Sequence, residues 1–167
     1  MSFSIIIPVY NEEKTLNELI CQLKKIDDKT EIIIINDGST DKTGSILGKH
    51  KFFKSIHNPK NIGKGFSIIS GIKYAKNENI ILMDGDLEIS LRCIPDIINQ
   101  FNSKQKYILV GSRWKKEIET GWNINKLGNI FINYVFNILY NTNLNDVLCC
   151  VKVLNRNLIN KLDLKSD

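Results

Sequence analysis

An α/β fold, with a mostly parallel central sheet flanked by helices, is what this sequence predicts, and three observations carry the prediction. Short β-branched runs alternate with stretches of helical periodicity, which is the pattern of βαβ units. Glu31 to Ile35 is an almost uninterrupted isoleucine run, the mark of a strand buried on both faces. Strands ending at residues 35, 83 and 110 run into polar loops bearing Asp or Arg. In open α/β sheets ligands bind beyond the carboxyl ends of the strands, so these loops should converge on one site.

The elements follow in chain order. Phe3 to Val9 is the first strand; it is short, broken by Pro8 and followed by Asn11-Glu12-Glu13, so it lacks the basic start and cleavage site of a signal peptide. Glu12 to Ile26 carries Leu16, Leu19, Ile20 and Leu23 at helical spacing, with acidic residues in its first turn where the helix dipole favours them. The isoleucine strand stops at Asn36-Asp37-Gly38-Ser39, after which Ser39 or Thr40 caps a short helix closed by Gly48. Residues 52 to 57 form a short strand, 58 to 61 a turn containing Pro59, and 63 to 76 a helix presenting Phe66, Ile69, Ile72 and Tyr74. Asn79 to Met83 is the next strand and ends at Asp84-Gly85-Asp86. A helix over about Leu91 to Phe101 should have Pro95 in its first turn. Tyr107 to Val110 is a strand leading into Gly111-Ser112-Arg113-Trp114.

The 167 residues make room for one domain, and 43% hydrophobic against 25% charged content excludes disorder and fibrous repeats. Lys and Arg number 23 against 18 Asp and Glu, and the resulting +5 mildly favours anionic partners. Cys21, Cys93, Cys149 and Cys150 show no C-x-x-C spacing, and the adjacent pair cannot easily close a relaxed disulfide, so a reduced, cytoplasmic setting fits.

Asp84-Gly85-Asp86 sets two carboxylates one residue apart at a strand end, with Gly85 letting the backbone bend. Such a pair suits a hard cation, Mg²⁺ or Mn²⁺, whose remaining positions go to water and phosphate oxygens, and Glu88 adds a third oxygen directly or through water. By itself the segment reads better as a solvated turn, and the neighbouring segments tip the balance toward a ligand. Asp37 follows another strand and suits a nucleobase or ribose, whereas Ser39, Thr40 and Asp41 read as caps and turns. Pro8 to Glu12 brings an aromatic, Tyr10, beside a carboxylate, Glu12, at the end of the first strand. Asn61-Ile62-Gly63-Lys64-Gly65 supplies glycines and a cation, Lys64, at a helix start, a natural anion site. It is not a P-loop, and no G-x-G-x-x-G follows the first strand, which disfavours a dinucleotide oxidoreductase.

Together these segments, IIIPVYNEE at 5–13, NDGSTD at 36–41, NIGKG at 61–65, MDGDLE at 83–88 and GSRW at 111–114, resemble family 2 nucleotide-sugar glycosyltransferases of the glycosyltransferase A fold. The resemblance runs from about Phe3 to Arg156, and the LE after the Asp pair and the later GSR look most like dolichyl-phosphate mannose synthases and related polyprenyl-phosphate glycosyltransferases. It implies that Pro8, Tyr10, Glu12, Asp37, Lys64 and Asp84 serve the nucleotide. It further implies that Asp84, Asp86 and Glu88 hold the metal and donor diphosphate, and that Arg113 faces an acceptor phosphate. Asp146 to Lys152 is similar to the family's D-x-x-C-G-F-K segment, with Cys150 in place of a glycine, Val151 in place of an aromatic, and Asn36 where many relatives carry an aspartate. The implied reaction is inverting, metal-dependent transfer of a sugar from a GDP- or UDP-sugar to polyprenyl phosphate. The metal would offset charge on the departing diphosphate. An ionised lipid phosphate needs no general base; a saccharide hydroxyl does, and Asp146 is then the candidate. The alternative from another class is a non-catalytic, phosphate-binding module of flavodoxin-like topology using Asp37 and Asp84, which needs neither the Asp-x-Asp pair nor Arg113. Nucleic acid is not an expected partner.

Asn125, Asn129, Asn133, Asn137 and Asn141 recur every fourth residue, making a polar stripe along a helix over 124–141. Ile130, Phe131, Tyr134, Val135, Ile138 and Leu139 cover its other face, which is expected to pack on the sheet, with a membrane interface as the alternative. Lys115, Lys116 and Lys126 flank it and suit anionic headgroups or the acceptor phosphate. The whole chain reads as one glycosyltransferase domain, cytoplasmic or peripheral on the cytoplasmic face of a membrane, and the resemblance implies further C-terminal elements in full-length lipid-phosphate enzymes.

Overall fold

The computed structural model describes residues 1–101, 108–111 and 124–159, the stretch 124–127 by backbone alone. Its six-stranded sheet has the order β3-β2-β1-β4-β6-β5, formed by β1 (Phe3–Val9), β2 (Glu31–Asn36), β3 (Lys54–His57), β4 (Asn79–Leu82), β5 (Leu109–Val110) and β6 (Lys152–Asn155). The pairs β1–β2, β2–β3 and β1–β4 are parallel, while β6 runs antiparallel between β4 and β5. The sheet is therefore mostly parallel, as the alternating pattern predicts. β6 has no counterpart in the sequence reading: four residues with half-buried polar ends carry no periodicity that distinguishes a strand from a loop.

Both faces of the central strands are covered. Ile5, Ile7, Ile32 and Ile34 point to one side with Leu16, Leu19 and Leu23 of α1 (Leu16–Leu23), Leu47 of α2 (Thr43–Leu47) and Ile94 of α4 (Ile94–Gln100). Ile6, Ile33, Ile35 and Ile80 point to the other, with Ile72 of α3 (Lys64–Tyr74) and Ala75. Alternation along a pleated strand thus sends successive isoleucines into two separate cores, which is why an unbroken apolar run was needed. Against the sheet α3 turns Ser67, Gly71 and Ile72, while Phe66 and Tyr74 stay exposed. A side chain on Gly71 would meet Ile6 Cγ2 at 2.6 Å, so the helix needs glycine to approach this closely.

Local deviations from the sequence reading have identifiable causes. α1 begins at Leu16 rather than Glu12, because Glu12 spends its carboxylate on Thr15 Oγ1 (2.6 Å) and its N–H on Thr43 Oγ1 (2.8 Å), outside the helix. Ser39 and Thr40 do not cap α2; they bond Asn11, whose side-chain Oδ1 accepts the Thr40 N–H (2.8 Å) and whose backbone N–H donates to Ser39 Oγ (3.0 Å). Asp41 instead accepts the Thr43 N–H (2.9 Å) at the start of α2. The helix expected near 91–101 is a 3-10 turn (Leu91–Cys93) running into α4, with Pro95 in the first turn. None of the four cysteines is in a disulfide.

The largest departure concerns α5 (Ile124–Tyr140). Its apolar face does not pack on the sheet: Phe131 is 66%, Tyr134 64%, Ile138 60% and Leu139 71% exposed. Within the asparagine stripe, Asn133 and Asn137 turn inward. Asn133 donates to the Leu144 carbonyl (2.8 Å) and accepts the Val147 N–H (2.9 Å), while Asn137 donates to the same carbonyl (2.9 Å) and accepts the Leu144 N–H (2.9 Å). A carboxamide carries donor and acceptor together, so two of them suffice to hold the 142–147 loop. A short closing helix, α6 (Arg156–Ile159), follows β6, and no helix among the described residues is long and apolar enough to cross a membrane.

Candidate active site

Because β1, β2 and β4 run parallel, their carboxyl ends lie at one edge of the sheet, where the pairing continues into the loops. The Asp37 N–H bonds the Val9 carbonyl (2.9 Å), the Asn58 N–H that of Asn36 (2.9 Å) and the Met83 N–H that of Ile6 (3.1 Å). Between these loops opens a cleft of about 300 Å³ lined by Pro8, Val9, Tyr10 and Glu12 from the end of β1 and by Asp37 after β2. Asn61 and Lys64 at the start of α3, and Asp84, Gly85 and Asp86 after β4, complete it. Every residue assigned to the nucleotide, and both aspartates assigned to the metal, thus share one cavity. A larger hollow of about 850 Å³ lies between α1 and residues 90–99, near the amino end of β1. It holds no Asp-x-Asp pair and sits away from the carboxyl ends of the strands.

Glycine is required at two points of the cleft. Gly38 takes φ +69° and passes so close to the 60–61 backbone that a Cβ would lie 2.2 Å from the Lys60 carbonyl carbon. A Cβ on Gly85 would meet Val9 Cγ1 at 2.6 Å, so glycine lets the acidic turn close onto β1.

Asp37 is buried and its carboxylate is already engaged: Oδ1 accepts from Asn58 Nδ2 (2.8 Å) and the Ile62 N–H (3.1 Å), and Oδ2 from the Gly63 N–H (2.9 Å). Burial pushes its carboxyl upward, but the hydrogen bonds from Asn58, Ile62, Ser67 and Gly63 outweigh it and hold the group below the usual carboxylate range. In this structure Asp37 forms part of the cleft wall and fastens the 58–63 loop. Asn36, beside it, accepts the Ser39 N–H (3.0 Å) and contacts His57 Nδ1 (3.1 Å).

Asp84 is half-buried and paired with Lys64, whose Nζ lies 2.6 Å from Oδ1 and 2.7 Å from Oδ2. Asp86 is exposed at the rim and accepts the Glu88 N–H through Oδ1 (2.9 Å), forming an Asx turn. Among the described residues no three Asp, Glu, His or Cys side chains are gathered as a metal cage, so Asp84, Asp86 and Glu88 do not stand preformed as a trio, and Glu88 does not line the cleft. The two aspartates nevertheless fit a divalent cation: they are hard oxygen donors, and a cationic ammonium already sits on Asp84 as a stand-in. Such ions are commonly held by one or two carboxylates, with phosphate and water completing the shell.

Asp146 is 3% exposed and does not line the cleft. Arg113, Lys115 and Lys116 lie outside the described residues, and the Lys126 side chain likewise. Cys150, noted in the sequence as standing in place of a glycine, is a neighbour of the site: extending the β4–β6 register beyond Leu82↔Lys152 places it opposite Asp84. The adjacent Cys149 and partial burial push its thiol far above the usual range, so it stays protonated beside the acidic turn.

Comparison with known proteins agrees with this geometry. The profile of Glycosyl transferase family 2 matches residues 4–163. Dodecaprenyl-phosphate galacturonate synthase of Rhizobium johnstonii is 24% identical over 178 residues, covering 100% of this chain and 52% of its own. A dolichyl-phosphate beta-glucosyltransferase of Trichomonas vaginalis is 32% identical over 131 residues, covering 68% and 41%. The chain therefore spans about half the length, or less, of these relatives. Among solved structures, glucosyl-3-phosphoglycerate synthase from Mycobacterium tuberculosis, in complex with Mn²⁺, UDP and phosphoglyceric acid, superimposes with a TM-score of 0.74 at 18% identity, over 96% of this chain and 58% of that one. With its glycosyltransferase A fold and its cleft at the strand ends, the chain belongs to glycosyl transferase family 2.

Proposed function

We propose that this protein transfers a sugar from a nucleoside-diphosphate donor to a polyprenyl phosphate, with inversion, using Mg²⁺ or Mn²⁺ held by Asp84 and Asp86. The observation that carries this reading is the gathering of Pro8, Tyr10, Glu12, Asp37, Lys64, Asp84 and Asp86 around one cleft. A bound divalent ion supplies Lewis acidity to the departing diphosphate. The protein's own contribution is placement. Tyr10, 44% exposed at the rim, offers a ring for the base; Lys64 offers a cation to the diphosphate; and the 58–63 loop, fastened by Asp37, sets the height of the α3 start against the acidic turn.

Two features support a lipid phosphate over a saccharide hydroxyl as acceptor. Asp146, the residue a hydroxyl acceptor would call on as base, is buried and does not line the cleft, and an ionised phosphate needs no base. The outward apolar face of α5 suits peripheral contact with a lipid surface. The homology to enzymes named for dodecaprenyl and dolichyl phosphate points the same way.

The test is sugar transfer to polyprenyl phosphate in detergent, with Mg²⁺ or Mn²⁺ and a panel of UDP- and GDP-sugars. Asp86→Ala should cut turnover by at least about 100-fold while leaving the circular dichroism unchanged, since the side chain is exposed. Undiminished transfer in the variant would remove Asp86 and its metal from the reaction.

A further inference from the structure

Lys64 is the first residue of α3, a helix with no acidic residue in its first turn, so its ammonium stands at the positive end of the helix dipole. That placement is unfavourable for a cation in isolation. It is offset by Asp84, whose two oxygens both lie within 2.7 Å of Nζ. The Lys64 side chain is 57% exposed and that of Asp84 21%, so the pair sits at the mouth of the cleft, where the lysine stem can swing without disturbing the core. The pair occupies the carboxylate that a divalent cation would need.

We propose that Lys64 is an exchangeable counter-ion that couples metal binding to nucleotide binding. In the free protein it neutralises Asp84 and competes with the divalent cation. When a nucleoside diphosphate enters, its phosphates present a second anion to the ammonium, which moves to them and releases Asp84. Metal and nucleotide then strengthen each other's binding by the same factor, as linkage requires. The inference rests on the reading of the cleft as a metal–nucleotide site, and adds that neither ligand alone obtains its full affinity. A static surface ion pair would show no such coupling.

Free Mn²⁺ followed by electron paramagnetic resonance, with UDP and GDP present or absent, tests this without any turnover. Wild-type protein should bind Mn²⁺ weakly alone and more tightly with a nucleotide. Lys64→Met should bind Mn²⁺ alone about three- to tenfold more tightly, the range that breaking one half-exposed ion pair allows. Its nucleotide-induced enhancement should shrink by a similar factor, and Lys64→Arg should behave as wild type. If the wild type shows nucleotide-enhanced Mn²⁺ binding and Lys64→Met is unchanged or weaker toward Mn²⁺ alone, the counter-ion role is overturned while the reading of the cleft survives. If the wild type fails to bind Mn²⁺ even with UDP or GDP present, the reading of the cleft falls and the exchange falls with it.

Discussion

Asp37 shows how a side chain at the cleft wall can also fasten a neighbouring loop. Its position after β2 was legible from the Asn-Asp-Gly-Ser turn, but the donors it serves, Asn58, Ile62 and Gly63, come from 21 to 26 residues further on, beyond any local pattern. Asp37→Asn presents a donor where those N–H groups need acceptors, and should cost about 1–3 kcal/mol in urea denaturation at pH 7. Because the folded carboxyl titrates below its ordinary value, its contribution is fully present above the unfolded pKa and is lost as pH falls through the lower folded value. The stability gap between wild type and variant should therefore be widest near neutrality and narrow below about pH 4. A gap that ignores pH would show that the charge of Asp37 does not hold the loop. The Asp84–Lys64 contact makes the same point: each residue was legible as a site candidate, their partnership was not.

At the scale of elements, the strongly periodic pieces were readable and the marginal ones were not. β1, β2 and β4 followed from their apolar runs, and α1 from Leu16, Leu19, Ile20 and Leu23, although its start moved because Glu12 found partners off the helix. β6 is a strand only because β4 and β5 lie on either side of it. α5 reveals a limit of amphipathic reasoning: periodicity identifies two faces, while which one turns inward depends on what the neighbours offer. Here the 142–147 loop offers unpaired backbone groups, and Asn133 and Asn137 satisfy them, leaving Phe131, Tyr134, Ile138 and Leu139 outward. If that face meets lipid, flotation with liposomes rich in phosphatidylglycerol should carry the wild type upward. The double variant Phe131→Asn, Ile138→Asn should lose roughly tenfold or more of that partitioning, given about 1.5–3 kcal/mol for each large apolar side chain buried. Equal flotation would assign the face to something other than a bilayer.

For the molecule as a whole, parallel strand order makes a site from segments that lie far apart in the chain, with residues 8–12, 37, 61–64 and 84–86 meeting at one edge of the sheet. Ligand binding there should stabilise the entire fold. A nucleoside diphosphate with Mn²⁺ at a hundredfold its dissociation constant contributes about 2.7 kcal/mol, or a rise in Tm of roughly 5–10 °C for a domain of this size. UDP, GDP and CDP tested in parallel by differential scanning fluorimetry would also identify the base; no shift with any of them would count against the cleft as a nucleotide site. By itself the sequence determined the parallel α/β layout, the two-faced burial of β2, and the turns at which Asp37, Asp84 and Asp86 stand, because burial and turning are written in local spacing. Tertiary structure alone decided that Lys64 closes on Asp84 across 20 residues, that the Asp37 carboxylate fastens a loop, that β6 enters the sheet antiparallel, and that α5 turns Asn133 and Asn137 inward. Those outcomes depend on which unsatisfied charge or backbone group is nearest in space, and that is set only once distant segments have packed.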